Sequence, residues 1–399
     1  MIEEDLAFLA RDKCAVAGIG ATEFSKDSGR SSLQLATEAA RAAIADAGLT
    51  PADIDGIVRC DFDTTTTSNL AVSLGLRNLS FWADTGPGGS APCMQLAIAI
   101  GALMTGQAKA VVVYRALNGR SESRLGAGVP GMDSKRVGGQ GLFDEFYLPW
   151  GLISAGQTFA MLAEWHMRTY GTRQEHLGML ALICREAANR TPHAQMHGRT
   201  LTMDEYLASR PISLPLRLFD FCLETDGAVA AVLTTTERAR DLAKPPVLIR
   251  AVAGGKANDA RAGMMFPLVT RGMDDLGGAQ AGRELWRRAG VGPGEMDVAQ
   301  IYDCFTISLL VQLEAFGFCP RGEAGPFIES GALARGGSMP INTAGGNMSE
   351  GYIHGMNHVI EAVRQMRGTA ANQVEGAELC AVTSGPLPVG SGAVLRRDS

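Results

Sequence analysis

Two short runs carry side chains able to move protons. The first, Tyr302-Asp303-Cys304-Phe305, closes the alternating stretch VAQIYDCF, which reads as the end of a strand. The second, Gly351-Tyr352-Ile353-His354, follows the glycine turn Gly345-Gly346-Asn347. A phenol donates or accepts a proton, and with its pKa lowered from about 10 it serves as general acid or base. Asp303 and His354 flank the tyrosines and could orient a phenol or relay a proton. An aspartate just before a helix is commonly an N-cap, and that reading is favoured for Asp303. Packing explanations stand beside each: Tyr302 as a strand-end core residue, Tyr352 as a filler against glycine backbone. His354 and His358 have the i, i+4 spacing of a zinc-binding pair, but no third ligand of the expected type follows, so no metal is expected.

Other candidates weaken on inspection. The eight cysteines form no C-x-x-C pair, and several sit in apolar runs, as in AELCAVTS around Cys380. They read as reduced, buried thiols, Cys304 among them. GIGATE (18–23) lacks the third glycine and the following helix of a dinucleotide fingerprint, so that reading is rejected.

The elements that must position these groups come from a chain of 399 residues, long enough for a large core without disulfides. With 46% hydrophobic and 20% charged residues it is neither disordered nor a coiled coil. The 49 glycines follow no G-x-y period, which excludes a collagen-like chain. A net charge of −6 without a basic run disfavours nucleic acid or an anionic membrane as partner. The acidic N-terminus resembles neither a signal nor a transit peptide, and no apolar window is long enough to span a bilayer. A soluble cytoplasmic protein is expected.

SSLQLATEAARAAIADAGL (31–49) has helical apolar spacing behind a serine cap, and a turn and a strand follow it. GAQAGRELWRRAGV (278–291), again followed by turn and strand, repeats the arrangement. Ala47-Gly48-Leu49-x-Pro51 matches Ala289-Gly290-Val291-x-Pro293, 242 positions later; Asp53 then meets Glu295, Asp55 meets Asp297 and Cys60 meets Tyr302. An internal duplication accounts for this. Glycine turn, helix and strand also recur at 86–116 and 343–384. Helix 91–104 is apolar on nearly every face, which predicts burial between layers. Residues 117–223 interrupt the first copy as a helical insertion covering one face. The resulting organisation is α/β, with a first half at 1–116 and 224–250, the insertion at 117–223 and a second half at 251–399.

These elements in this order resemble the thiolase superfamily over nearly the whole chain. The runs VAQIYDCFTISLLVQLEAFGFC, GEAGPFIESG, PINTAGGNMSEGYIHG and AVRQMRG are similar to its sterol-carrier-protein-x, or lipid-transfer, branch. The resemblance implies duplicated βαβαβαββ halves in five αβαβα layers, an inserted loop domain, and an active site where the two core helices begin. It also shows what is missing. The nucleophilic cysteine position falls on Gly89 or Ser90, with Cys93 too far along to profit from the helix N-terminus. Tyr352 stands at the family's G-H-P histidine, Tyr302 at its N-E-A-F asparagine and Thr383 at its late cysteine. Claisen chemistry by the family's usual mechanism is thereby disfavoured.

The replacements suit another reaction. By the resemblance Tyr302 and Tyr352 face one another across a substrate thioester, as proton-transfer groups without a nucleophile. Backbone N–H groups around Gly88, Gly89 and Ser90, with Gly345 and Gly346 in the second glycine turn, could hold an enolate. The YDCF and G-Y-I-H-G patterns resemble the steroid side-chain-cleaving aldolases. These imply retro-aldol cleavage of a 17-hydroxy steroid C3-side-chain CoA thioester to a 17-keto steroid and propionyl-CoA. Coenzyme A would enter as part of the substrate, with no tightly bound cofactor, and Arg120, Arg124, Lys135 and Arg136 are candidates for its phosphates. The family implies a homodimer and a DUF35-type OB-fold partner. A lipid-transfer protein without chemistry, or an atypical acetyl-CoA acyltransferase using Cys93, are the alternatives.

Overall fold

The computed structural model describes residues 8–86, 88–122, 148–256, 276–385 and 389–398. Nine strands form one sheet: β1 (Cys14–Ala21), β2 (Gly56–Cys60), β3 (Phe81–Thr85), β4 (Ala110–Asn118), β7 (Asp226–Thr235), β8 (Val247–Lys256), β9 (Val298–Gln300), β10 (Leu379–Ser384) and β11 (Val389–Arg397). Their order is β3-β2-β4-β7-β1-β8-β11-β10-β9. β1 and β8 meet at only Ala15↔Leu248 and Val16↔Val247, and the sheet reads the same outward from that seam. On each side come two antiparallel pairings and then a parallel one: β1-β7-β4-β2 and β8-β11-β10-β9. β3 continues the first series, and a parallel bridge from Ala299 to Ile341 takes its place in the second.

The repeat seen in the sequence is a structural one. Helix α1 (Ser32–Asp46) is capped by Ser31 with Gln34 closing the box, and a 3-10 turn at Pro51–Asp53 leads into β2. In the second copy Pro293–Glu295 forms the same turn ahead of β9. Asp55 accepts from the backbone N–H groups of Lys109 and Ala110 at the start of β4. Asp297 does the same for Glu378 and Leu379 at the start of β10. The matched aspartates fasten equivalent strands.

Helices lie in three layers around the two halves of the sheet. α1 and α2 (Thr67–Leu74) cover the first half, packing through Leu35, Ala39, Ala43 and Leu70 on Ala15, Ala17 and Val112. Gly18 and Gly20 make this close approach possible: a Cβ on either would lie 2.1 or 2.2 Å from a carbonyl oxygen of α1. Between the half-sheets run α3 (Ala91–Met104) and, from the second copy, the last helix, Met356–Arg367, with Leu96, Ala99, Val359 and Val363 inside. On the far side the helix Gly277–Ala289 packs on Gly255 of β8. The five layers expected are present. One expectation needs correcting: α3 is not buried all round. Met94, Ala97 and Ile98 are only partly buried and Met104 is exposed, because no described layer covers that side.

The insertion contributes α4 (Ala155–Tyr170), α5 (Gln174–Arg190), α6 (Met203–Ala208) and the hairpin β5–β6 (Pro211–Ser213, Leu216–Arg217). Although it leaves the first half, it docks on the second. Buried His166 pairs with Glu314 at 3.3 Å, and Phe159 stacks on Phe305 at 4.5 Å. Phe221 bridges Phe305 in antiparallel fashion, which carries Cys222 and Thr225 to the site. Strand β8 (Val247–Lys256) runs across position 250.

Candidate active site

Tyr302 leaves the end of β9 with its backbone held on both sides. Its N–H donates to Thr383 Oγ1 at 3.3 Å, and its carbonyl accepts from Ser308 Oγ and Gln312 Nε2 at 3.0 and 2.5 Å. Thr383 Oγ1 in turn donates to Gln312 Oε1, so this threonine serves as a brace. The neighbouring Ile301 is clamped by Asn342 through both backbone groups. Tyr352 enters from the second glycine turn, its N–H bound to Thr225 Oγ1. The two phenol oxygens are 3.2 Å apart.

Burial pushes the Tyr302 phenol well above its ordinary range, with Tyr352 adding to the effect. Tyr352 is also pushed up by burial, then by Cys222 and Cys304, against a smaller opposing effect of Tyr302 and Arg115. The expected lowering of a phenol pKa is therefore corrected: both tyrosines stay neutral and each keeps a proton to give.

The first glycine turn meets this pair directly. Gly88–Ser90 form a 3-10 turn leading into α3. A Cβ on Gly89 would lie 2.3 Å from the Tyr302 hydroxyl oxygen, so only glycine admits the phenol there. Gly88 faces the His354 imidazole, whose nearest atom would be 3.7 Å from such a Cβ. Ser90 is tied to β11 by its Oγ on the Val389 carbonyl and by Ser391 Oγ on its own carbonyl. The helix N-terminus thus lies beside both a phenol and an imidazole, where its backbone dipoles favour negative charge.

His354 is almost fully buried, with φ of +50°, a left-handed conformation uncommon for a side-chain-bearing residue. Its ring meets Tyr352 edge-on at 5.0 Å and Phe62 at 6.0 Å. Burial, and then Arg115, hold its pKa well below the usual value, so it is neutral. Arg115 and its ion-pair partner Asp63, 3.1 Å away, are both fully buried. Sequence reasoning missed this pair. The available signal was an arginine in the middle of the apolar strand AVVVYRALN.

Other expected residues have partners of their own. Asp303 does not cap its own helix, Thr306–Ala315, whose N-cap is Phe305. Its carboxylate accepts from the N–H groups of Asn347 and Met348 in the short helix Gly346–Ser349, and pairs with His358 at 2.9 Å. His358 is thus engaged on Asp303, and His354 on Arg115. A Cβ on Gly346 would run into the Asp303 carboxylate and one on Gly345 into Ala188 of α5. Arg120 pairs with Glu224 at 3.4 Å. Arg124, Lys135 and Arg136 lie outside the described residues, as do the methionines at 264 and 265. Cys93 sits in the first turn of α3, closer to the helix start than the sequence suggested, yet burial pushes its thiol up to about 12. Position favours a thiolate there; desolvation outweighs it. Among the described residues no group of three His, Cys, Asp or Glu side chains is placed to hold a metal ion.

Layers, duplicated halves and a site between two core-helix starts define a thiolase-type fold, here with a pair of tyrosines in the site. The thiolase C-terminal domain-like family model matches residues 271–394. The chain is 42% identical to the 17-hydroxy-3-oxo-4-pregnene-20-carboxyl-CoA lyase of Mycobacterium tuberculosis, over 96% of this chain and 99% of that protein. It is 43% identical to the steroid side-chain-cleaving aldolase of Thermomonospora curvata, over 96% and 98%. Among solved structures, the Ltp2-ChsH2(DUF35) aldolase superposes with a TM-score of 0.88 at 41% identity, covering 98% of this chain and 99% of that one. The chain belongs to the steroid side-chain-cleaving aldolase branch of the thiolase superfamily.

Proposed function

We propose that this protein is a carbon–carbon lyase that splits a β-hydroxyacyl-CoA by retro-aldol cleavage. The substrate is a 17-hydroxy steroid carrying a C3 side chain as its CoA thioester; the products are the 17-keto steroid and propionyl-CoA. The observation that carries the reading is the 3.2 Å contact between two neutral phenols beside a helix start. Retro-aldol cleavage consumes no net proton: the β-hydroxyl loses one and the α-carbon gains one. Two hydrogen-bonded phenols match that balance. One accepts the hydroxyl proton as it passes its own to the other, which protonates the α-carbon of the thioester enolate, and no phenolate persists. Both raised pKa values oppose a stable phenolate but not such a relay. Between the two transfers the enolate oxygen needs donors, and the Gly88–Ser90 turn with His354 lies beside the pair.

Coenzyme A enters as part of the substrate, and no tightly bound cofactor is assigned. A homodimer is supported by β3 standing at the edge of the sheet with Trp82 64% exposed on it. A DUF35 OB-fold partner is supported by the likeness to the Ltp2-ChsH2(DUF35) aldolase. A cytoplasmic location fits the absence, among described residues, of any helix long and apolar enough to cross a membrane.

The test is chromatography of the CoA products after incubating the protein with the steroid thioester, alone and with any co-purifying OB-fold protein. Propionyl-CoA and 17-keto steroid in equal amounts are expected. An intact thioester in both arms, together with tight binding of the same compound, would make this a carrier instead.

A further inference from the structure

We infer that Arg115 is a positioning residue that fixes His354 in one tautomer, with its Nε2–H presented as a donor to the thioester oxygen. This inference deepens the retro-aldol reading and rests on it for the identity of that oxygen. The argument starts from hydrogen-bond chemistry. A guanidinium has five N–H donors, no acceptor, and does not lose its proton inside a protein. Arg115 Nη2 lies 2.6 Å from His354 Nδ1. Nδ1 must therefore accept, and a neutral imidazole then carries its single proton on Nε2. An imidazolium would set two donors, both cationic, against each other.

The rest of the geometry serves the same end. Nε2 faces the helix start, 3.8 Å from where a Cβ on Gly88 would stand. The same guanidinium reaches the Gly88 carbonyl with Nη1 at 3.4 Å, so one side chain ties imidazole and glycine turn together. The guanidinium forms a buried ion pair with Asp63, its Nε 3.1 Å from Oδ1. The Asp63 carboxylate is fixed in turn by the N–H groups of Ala116 and Cys60. Phe62 and Tyr352 stand edge-on to the imidazole and set its plane. A neutral donor of this kind stabilises a developing enolate without giving up its proton to it.

The test has two parts. Nitrogen-15 NMR of the histidine-labelled protein, with His354 identified by loss of its signal in His354→Gln, should show a neutral ring with Nε2 protonated throughout pH 6–8. An Nδ1–H tautomer, or an imidazolium in that range, overturns the inference. Since Arg115→Gln alone strands a buried carboxylate, the second part uses Arg115→Gln with Asp63→Asn. This folded double variant should show a mixture of tautomers and a kcat lowered about 10- to 100-fold, with KM within about twofold. Unchanged kcat in that variant overturns the inference as well. The tautomer is read without substrate. An Nε2–H ring in a protein that turns over no steroid thioester would thus count against the retro-aldol reading and for the assignment of Arg115.

Discussion

Tyr302 and Tyr352 share a hydrogen bond of 3.2 Å across fifty residues of sequence, one fixed at the end of a strand and the other in a glycine turn. Neither side chain makes the pair by local preference. The relation exists because the duplicated halves bring the ends of β9 and of the second glycine turn to the start of α3. The backbone of Tyr302 is braced by Thr383, Ser308 and Gln312.

If the two phenols relay one proton, each hydroxyl is needed and neither can substitute for the other. Tyr302→Phe and Tyr352→Phe should each lower kcat about 100- to 10,000-fold, the range for removing a general acid–base group. Binding of the thioester should persist, because the ring and its packing remain. A single variant with near-wild-type turnover would remove that residue from the relay, and a double variant no worse than either single would support a shared step.

The phenol of Tyr302 lies where a side chain at position 89 would begin. Gly89→Ala should displace it and cost turnover on the same scale as Tyr302→Phe, with a smaller loss of stability than a core truncation gives. Thermal unfolding and kcat measured on the same preparation check this. An active Gly89→Ala protein would mean that Tyr302 can move aside without harm.

Much of this was legible in the sequence, for identifiable reasons. The offset of 242 positions aligned Asp55 with Asp297 because each closes the same short helix-turn-strand run, and a local run leaves a spacing even though the strands these aspartates fasten lie 54 and 81 residues further on. The tyrosines stood at motif positions, so their approach could be anticipated from the resemblance. Their pKa direction could not, since it depends on how deeply the assembled layers bury them. Asp303 read as a cap for the following helix, whereas its carboxylate caps a helix more than forty residues away. The Arg115–Asp63 pair joins a strand to a polar loop, and nothing in either segment names the other.

Thiol chemistry should be irrelevant to turnover. Cys93 and Cys304 are both buried and pushed up to about 12 by that burial, so neither forms a thiolate near neutrality. Iodoacetamide at pH 7.5 should leave the rate of thioester cleavage unchanged. Rapid loss of activity matched by carbamidomethylation of Cys93 in the mass spectrum would instead revive a nucleophilic cysteine.

Asp63 yields a prediction whose sign is opposite for stability and for activity. Burial raises its carboxyl from the ordinary 3.8 to about 6, despite the opposing pull of Arg115, the amides of Ala116 and Cys60, and Arg59. Between those two values the folded protein holds a proton that the unfolded chain has released. Stability contributed by the protonated form is therefore complete below about pH 4 and is lost as pH rises through about 6. Asp63→Asn keeps the neutral form at every pH. It should match wild type in urea unfolding near pH 4 and be at least as stable at pH 7.5. Activity runs the other way, since only the carboxylate forms the ion pair with Arg115, so wild-type turnover should fall below about pH 6. An Asp63→Asn protein several kcal/mol less stable than wild type at pH 7.5 would show that the ion pair is a net stabiliser and that the carboxyl is not raised.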